Sequence, residues 1–144
     1  MLAYAGDVSP RQCWEALSRK VPTGVVIDVR SAAEWAADGI PQVADDMHPV
    51  VFQQWQQSPH MNIDPAFGAS LETSLKEAGV GKDDNLFFMC RAGIRSRAAA
   101  IEMNSRGYKR AYNIAGGFDG HLNERGQSGL IDGWKADGLP WGQQ

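Results

Sequence analysis

The stretch Asn85-Leu86-Phe87-Phe88-Met89-Cys90-Arg91-Ala92-Gly93-Ile94-Arg95-Ser96 decides the fold. Its first five residues run without polar alternation, the pattern of a strand buried on both faces of a sheet. The run leads directly into Cys90. A short loop, Arg91 to Arg95, follows, and Ser96 to Arg106 (SRAAAIEMNSR) is rich in helix formers and closes at Gly107. A buried strand, a loop and a helix in succession form the repeating unit of an α/β protein.

The same grammar extends in both directions. Upstream, Gly24-Val25-Val26-Ile27-Asp28-Val29 is a second β-branched run, and downstream Ala111-Tyr112-Asn113-Ile114 is a third, ending at Ala115-Gly116-Gly117. Ser9 caps a helix that has Pro10 at its first position and reaches Arg19. Ser31 to Asp38 is a short helix ended by Gly39, with Pro41 close behind. Asp64-Pro65 opens a longer helix through Lys76 to Ala78, closed by Gly79 and Gly81. Residues 40–63 carry the weakest pattern: Val43, Val50, Val51 and Phe52 offer one short strand, and Gln53 to His60 a helical turn or a loop. Strands alternating with helices give a parallel sheet covered on both faces. In such sheets ligands bind at the carboxyl ends of the strands, where Cys90 falls.

The totals narrow the function. The 144 residues suit one domain spanning 1–144, since domains commonly run to about 100–150 residues. A formal charge of −3 argues against nucleic acid as a partner, because phosphate contacts need a basic face. No apolar run approaches the roughly 20 residues that span a bilayer, and Met1 to Asp7 lacks the features of a signal peptide, so no membrane partner is expected. The two cysteines, Cys13 and Cys90, do not make a disulfide framework, and a reducing, cytoplasmic setting is the expectation. His48, His60 and His121 form no motif, so neither a metal nor a cofactor is expected.

Cys90 is the candidate nucleophile. A lone cysteine ending a buried strand is ordinarily a small hydrophobe. Here, however, Gly93 permits positive φ, Arg91, Arg95 and Arg97 crowd the next few positions of an acidic chain, and a helix begins. Successive backbone N–H groups turned inward, with the positive end of a helix beside them, favour a thiolate and an anionic substrate alike. Cys13 lies in the first helix beside Trp14 and is read as core packing.

The segment Cys90 to Ser96 (CRAGIRS) resembles the active-site loop of rhodaneses, the thiosulfate sulfurtransferases. Asp28-Val29-Arg30 with Glu34-Trp35 and Gly39-Ile40-Pro41 is similar to that family's early motif. Gly116-Gly117-Phe118 and Gly138-Leu139-Pro140-Trp141 are similar to its closing motifs. The resemblance covers roughly Gly24 to Trp141 and implies a three-layer α/β domain with a central parallel sheet flanked by helices. It implies a Cys90 persulfide whose terminal sulfur is cradled by the loop residues Arg91, Ala92, Gly93, Ile94, Arg95 and Ser96, with Arg91 and Arg95 holding the sulfonate of thiosulfate. Sulfane sulfur would then pass from thiosulfate or a persulfide donor to cyanide, a thiol or a protein acceptor. Arg30 and Glu34 are expected to pair as structural support.

The chain departs from the family pattern after Gly39, where a common His is missing, and at His121, where a Trp is usual. The stretch His121 to Gly133 is long and Gly-rich and is a candidate lid over the loop; Trp134 or Trp141 is a candidate for the pocket mouth. Two other readings compete. One is a dedicated persulfide carrier serving a single protein partner. The other is a cysteine-dependent phosphatase with a Cys-x5-Arg loop; here the sixth position after Cys90 is Ser96, and arginines lie at the fifth and seventh.

Overall fold

The computed structural model describes residues 3–144, so Met1 and Leu2, part of the stretch read for a leader, lie outside the described residues. Along the chain the elements are β1 (Gly6–Val8), α1 (Pro10–Leu17), β2 (Gly24–Asp28), α2 (Ala32–Asp38), β3 (Ile40–Pro41), β4 (Val51–Phe52), β5 (Gln56–Gln57), β6 (Asn62–Ile63), α3 (Phe67–Glu77), β7 (Asn85–Met89), α4 (Ile94–Ser105), β8 (Ala111–Ile114) and β9 (Trp141–Gly142). Five strands form one parallel sheet in the order β1-β8-β7-β2-β4, with β7 at its centre. This is the α/β architecture with a central parallel sheet expected from the sequence.

Successive residues of a strand face opposite sides, and β2 and β7 divide their apolar side chains accordingly. Val25, Ile27, Leu86, Phe88 and Cys90 pack with Phe67, Leu71 and Leu75 of α3 and Ala99, Ala100 and Met103 of α4. Val26, Phe87 and Met89 pack on the other side with Cys13 and Leu17 of α1, and with Phe118, Trp134 and Leu139 of the tail. Every residue of β2 is buried, as its unbroken apolar run requires.

Both short helices that precede the site begin with reciprocal caps. The Ser9 hydroxyl accepts from the Gln12 N–H while the Gln12 side chain accepts from the Ser9 N–H, and Ser31 and Glu34 repeat the arrangement. Helix α3 starts later than expected, at Phe67, because Asp64 first makes a turn: its carboxylate and its carbonyl accept from the N–H groups of Ala66 and Phe67. Gln53 to His60, expected to be a helical turn or a loop, contains β5, which pairs antiparallel with β6 just beyond it. The tail returns so that β9 pairs with β3, and Arg30 Nη2 donates to the Gly39 carbonyl just before that pair.

Two expectations are corrected. Arg30 pairs with Asp28 and not with Glu34: Nη2 lies 2.8 Å from Asp28 Oδ2, both side chains are wholly buried, and the Phe118 ring covers the guanidinium at 4.2 Å. Two residues apart on extended chain, Asp28 and Arg30 share a side, which gives this pair its geometry. Trp134 does not line a pocket mouth. It is fully buried, meets Trp14 edge-on and donates its indole N–H to the Pro140 carbonyl at 2.6 Å.

Candidate active site

Cys90 stands one residue beyond β7, at the carboxyl end of the central strand, and is 2% exposed. The backbone that follows is held from outside. Phe118 N–H donates to the Cys90 carbonyl at 2.8 Å, and the N–H groups of Asp119 and Gly120 donate to the Arg91 carbonyl at 3.1 and 3.0 Å. A trans peptide sets C=O and the next N–H in opposite directions, so fixing these carbonyls outward aims the Arg91 and Ala92 N–H groups away from the 118–120 segment. Gly117 makes the arrangement possible. At φ +59° it lies so close to the Cys90 and Arg91 carbonyls that a β-carbon would collide with them.

Gly93, at φ +110°, occupies the N-cap position of α4 and donates its N–H to Cys90 Sγ at 3.1 Å. Helix α4 therefore begins at Ile94, two residues earlier than the side-chain pattern suggests, and Ser96 lies inside its first turn. The Ser96 hydroxyl is 3.2 Å from Sγ and is fully buried. The N–H groups of Ile94, Arg95 and Ser96 precede the first intrahelical bond, from Arg97 N–H to the Gly93 carbonyl, and so remain available to a ligand.

The two arginines of the loop behave differently. Arg95 grips Glu34 in a bidentate pair, at 2.6 and 2.9 Å, that joins α2 to the first turn of α4. Burial would raise the Glu34 carboxyl, but the Arg95 guanidinium and the Ser31 N–H outweigh it and hold the group down to about 2. The Arg91 guanidinium has no hydrogen bond or ion pair among the described residues and is exposed. Ile94 is 83% exposed at the tip of the loop, and Ala92 lines a groove of about 270 Å³ beside it.

Sequence reading missed Asn113 and Asp7. Asn113 Oδ1 accepts from the Ser96 hydroxyl at 2.6 Å, and its Nδ2 donates to Asp7 Oδ1 at 3.1 Å. The signal for Asn113 was present: a polar residue interrupting the apolar run 111–114. No comparable signal marks Asp7. The 121–133 stretch is tied at its base, where Gly129 N–H donates to the Asp119 carbonyl and His121 pairs with Asp132 at 2.8 Å. No residue of that stretch lines the groove beside the loop. Cys13 is buried among apolar side chains in the opposite layer, and burial pushes its thiol far up.

The parallel sheet thus places a buried thiol, with one backbone N–H on its sulfur, at the carboxyl end of its central strand. The family model described as rhodanese-like domain matches residues 9–124, and the chain belongs to that family. It is 33% identical over 116 residues to the uncharacterised protein RC0915 of Rickettsia conorii, covering 81% of this chain and 80% of that one. It is 25% identical over 134 residues to the thiosulfate sulfurtransferase GlpE of Actinobacillus pleuropneumoniae serotype 5b, covering 93% and 90% respectively. The crystal structure of Rv0390 from M. tuberculosis superposes with a TM-score of 0.84 at 38% identity, covering 99% of this chain and all (100%) of that one. A polysulfide-sulfur transferase from Wolinella succinogenes, at 21% identity and a TM-score of 0.58 over 96% of this chain and 78% of its own, shares the fold. These likenesses place the protein among the sulfurtransferases. Among the described residues no helix is long and apolar enough to cross a membrane.

Proposed function

We propose that the protein moves sulfane sulfur through a persulfide on Cys90, taking it from thiosulfate or another small anionic donor and passing it to cyanide, a thiol or a protein acceptor. The observation that carries this reading is the Gly93 N–H resting on Sγ at 3.1 Å, at the base of a loop whose first carbonyls are tied outward. The Cys90 thiolate attacks the outer sulfur of thiosulfate. A new S–S bond forms, the sulfur–sulfur bond of thiosulfate breaks, and sulfite leaves with the electron pair. Cyanide or a thiolate then attacks the terminal sulfur of the Cys90 persulfide, and Sγ departs as thiolate. Neither step needs a general base, and both gain from fixed N–H donors around the anion.

Backbone N–H groups from Arg91 to Ser96 are assigned to the terminal sulfur, and Arg91, without a pairing among the described residues, to the donor's anionic end. Arg95 also contributes positive charge, from its place on Glu34. The phosphatase reading fits less well. The sixth position after Cys90 supplies a hydroxyl under the sulfur, and the nearest arginine of the helix is occupied by a carboxylate.

The test is an intact mass after incubation with thiosulfate, followed by cyanide and a thiocyanate assay, with Cys90→Ser alongside. One added sulfur on the wild type alone, then released as thiocyanate, supports transfer at Cys90. A persulfide that resists cyanide points instead to a dedicated carrier. Hydrolysis of an aryl phosphate through Cys90, with no persulfide formed, overturns the reading.

A further inference from the structure

We propose that Asp7, on the edge strand β1, is a positioning residue for the Cys90 sulfur, acting through the side chains of Asn113 and Ser96. The inference rests on Cys90 being the nucleophile and adds a control over its ionisation. The Ser96 oxygen lies 3.2 Å from Sγ and 2.6 Å from Asn113 Oδ1. A hydroxyl has one proton and two lone pairs, so it donates to only one of these neighbours at a time.

The amide of Asn113 makes the choice. Its Nδ2 lies 3.1 Å from Asp7 Oδ1, and the Tyr4 hydroxyl donates to the same oxygen at 2.8 Å. An ionised carboxylate only accepts, so the amide nitrogen must face Asp7 and the amide oxygen must face Ser96. Ser96 and Asn113 are both buried, where an unmatched carbonyl is costly. The Ser96 proton is thereby drawn to Asn113, and an oxygen lone pair faces Sγ. That arrangement accepts the S–H of the thiol and leaves Gly93 as the donor to the thiolate.

Without the carboxylate, the amide is free to turn. Its nitrogen then donates to Ser96, the Ser96 proton swings to Sγ, and the thiolate gains a second donor. Asp7 thus restrains ionisation of Cys90. The restraint has chemical value, because a thiolate's nucleophilicity falls as its pKa falls. The other charged or titratable groups facing Asp7 are Tyr4 and Arg97, whose guanidinium stands 5.4 Å from the Tyr4 ring centre and lines the same groove as Asp7 and Asn113. Asp7 itself is exposed on an edge strand, so its replacement leaves the core untouched.

The experiment is the pH dependence of Cys90 alkylation by iodoacetamide, followed by the mass of the Cys90 peptide, in wild type, Asp7→Asn, Ser96→Ala and the double variant. Asp7→Asn is expected to move the midpoint down by roughly half a pH unit or more. In the Ser96→Ala background the same change is expected to move it little. An unchanged midpoint in Asp7→Asn overturns the proposal. A shift of equal size in the Ser96→Ala background also overturns it, since the carboxylate would then act through space alone. Alkylation does not depend on sulfur transfer, so failure of the transferase reading shows up separately, as absence of thiosulfate loading on the wild type.

Discussion

Cys13 and Cys90 are equally hidden from solvent, at 0% and 2% exposure, on opposite sides of one sheet. Cys13 sits in mid-helix in one hydrophobic cluster with Leu17, Phe118 and Trp134, its sulfur has no hydrogen bond among the described residues, and burial pushes its thiol far up. Cys90 ends a strand and has the Gly93 N–H and the Ser96 hydroxyl within 3.2 Å. With Cys90 as the proposed nucleophile, burial alone does not distinguish an inert thiol from a reactive one. On that proposal they differ in whether the chain supplies a donor where negative charge would form, as the Gly93 N–H does at Cys90.

The sharpest way to break this contrast is to delete each sulfur in turn. Cys90→Ser should gain no sulfur from thiosulfate and release no thiocyanate, whereas Cys13→Ala should load and transfer as the wild type does; both are read by intact mass and a thiocyanate assay. Next comes thiol counting with a small alkylating agent. Under native conditions Cys90 should react faster than Cys13 by at least about a thousandfold, because Cys13 is reached only through large-scale opening. Comparable rates would mean that the two pockets differ less than their geometry implies.

Glu34→Gln tests the support behind the donors. Weakening the grip on Arg95 should lower transfer by about tenfold, since small displacements of a site are costly. Its pH signature has a definite sign. The Glu34 carboxyl is depressed from the ordinary 4.5 to about 2, so its stabilising contribution is fully present above pH 4.5 and is lost as pH falls through about 2. The melting temperature of Glu34→Gln should accordingly vary less over that window than that of the wild type. The smallest effect belongs to the inert sulfur: Cys13→Ala should cost about 1 kcal/mol of stability in a denaturant titration, with no change in transfer.

The central architecture was legible in the sequence because β2 and β7 carry runs of adjacent apolar residues and β8 is apolar but for Asn113, and such runs are needed only where a strand is buried on both faces. The short strands β4, β5 and β6 have two residues each, too few to show any period, and β1 has three with only one apolar side chain. At the site, Cys90 and its loop were marked by glycine and charge. The pairing of Glu34 with Arg30 expected from the early motif does not occur, because Arg30 is sealed beneath Phe118 and the carboxylate reaches Arg95 instead. The run of helix formers puts the start of α4 at Ser96; the structure starts it earlier because Gly93 takes the cap position through its backbone, and the Ser96 hydroxyl turns inward to the sulfur.

The groups that shape the loop are spread from Glu34 to Gly120, and the backbone that fixes its carbonyls is supplied after Cys90 itself. During synthesis the thiol leaves the ribosome before Asn113, Gly117 and Phe118 do, and parallel pairing of β7 with β8 waits for the same residues. A nascent chain halted between them carries the Cys90 thiol without the backbone groups that tie its loop. The geometry around this sulfur is thus a property of the chain as far as Phe118 and Gly120, not of the loop that follows Cys90 alone.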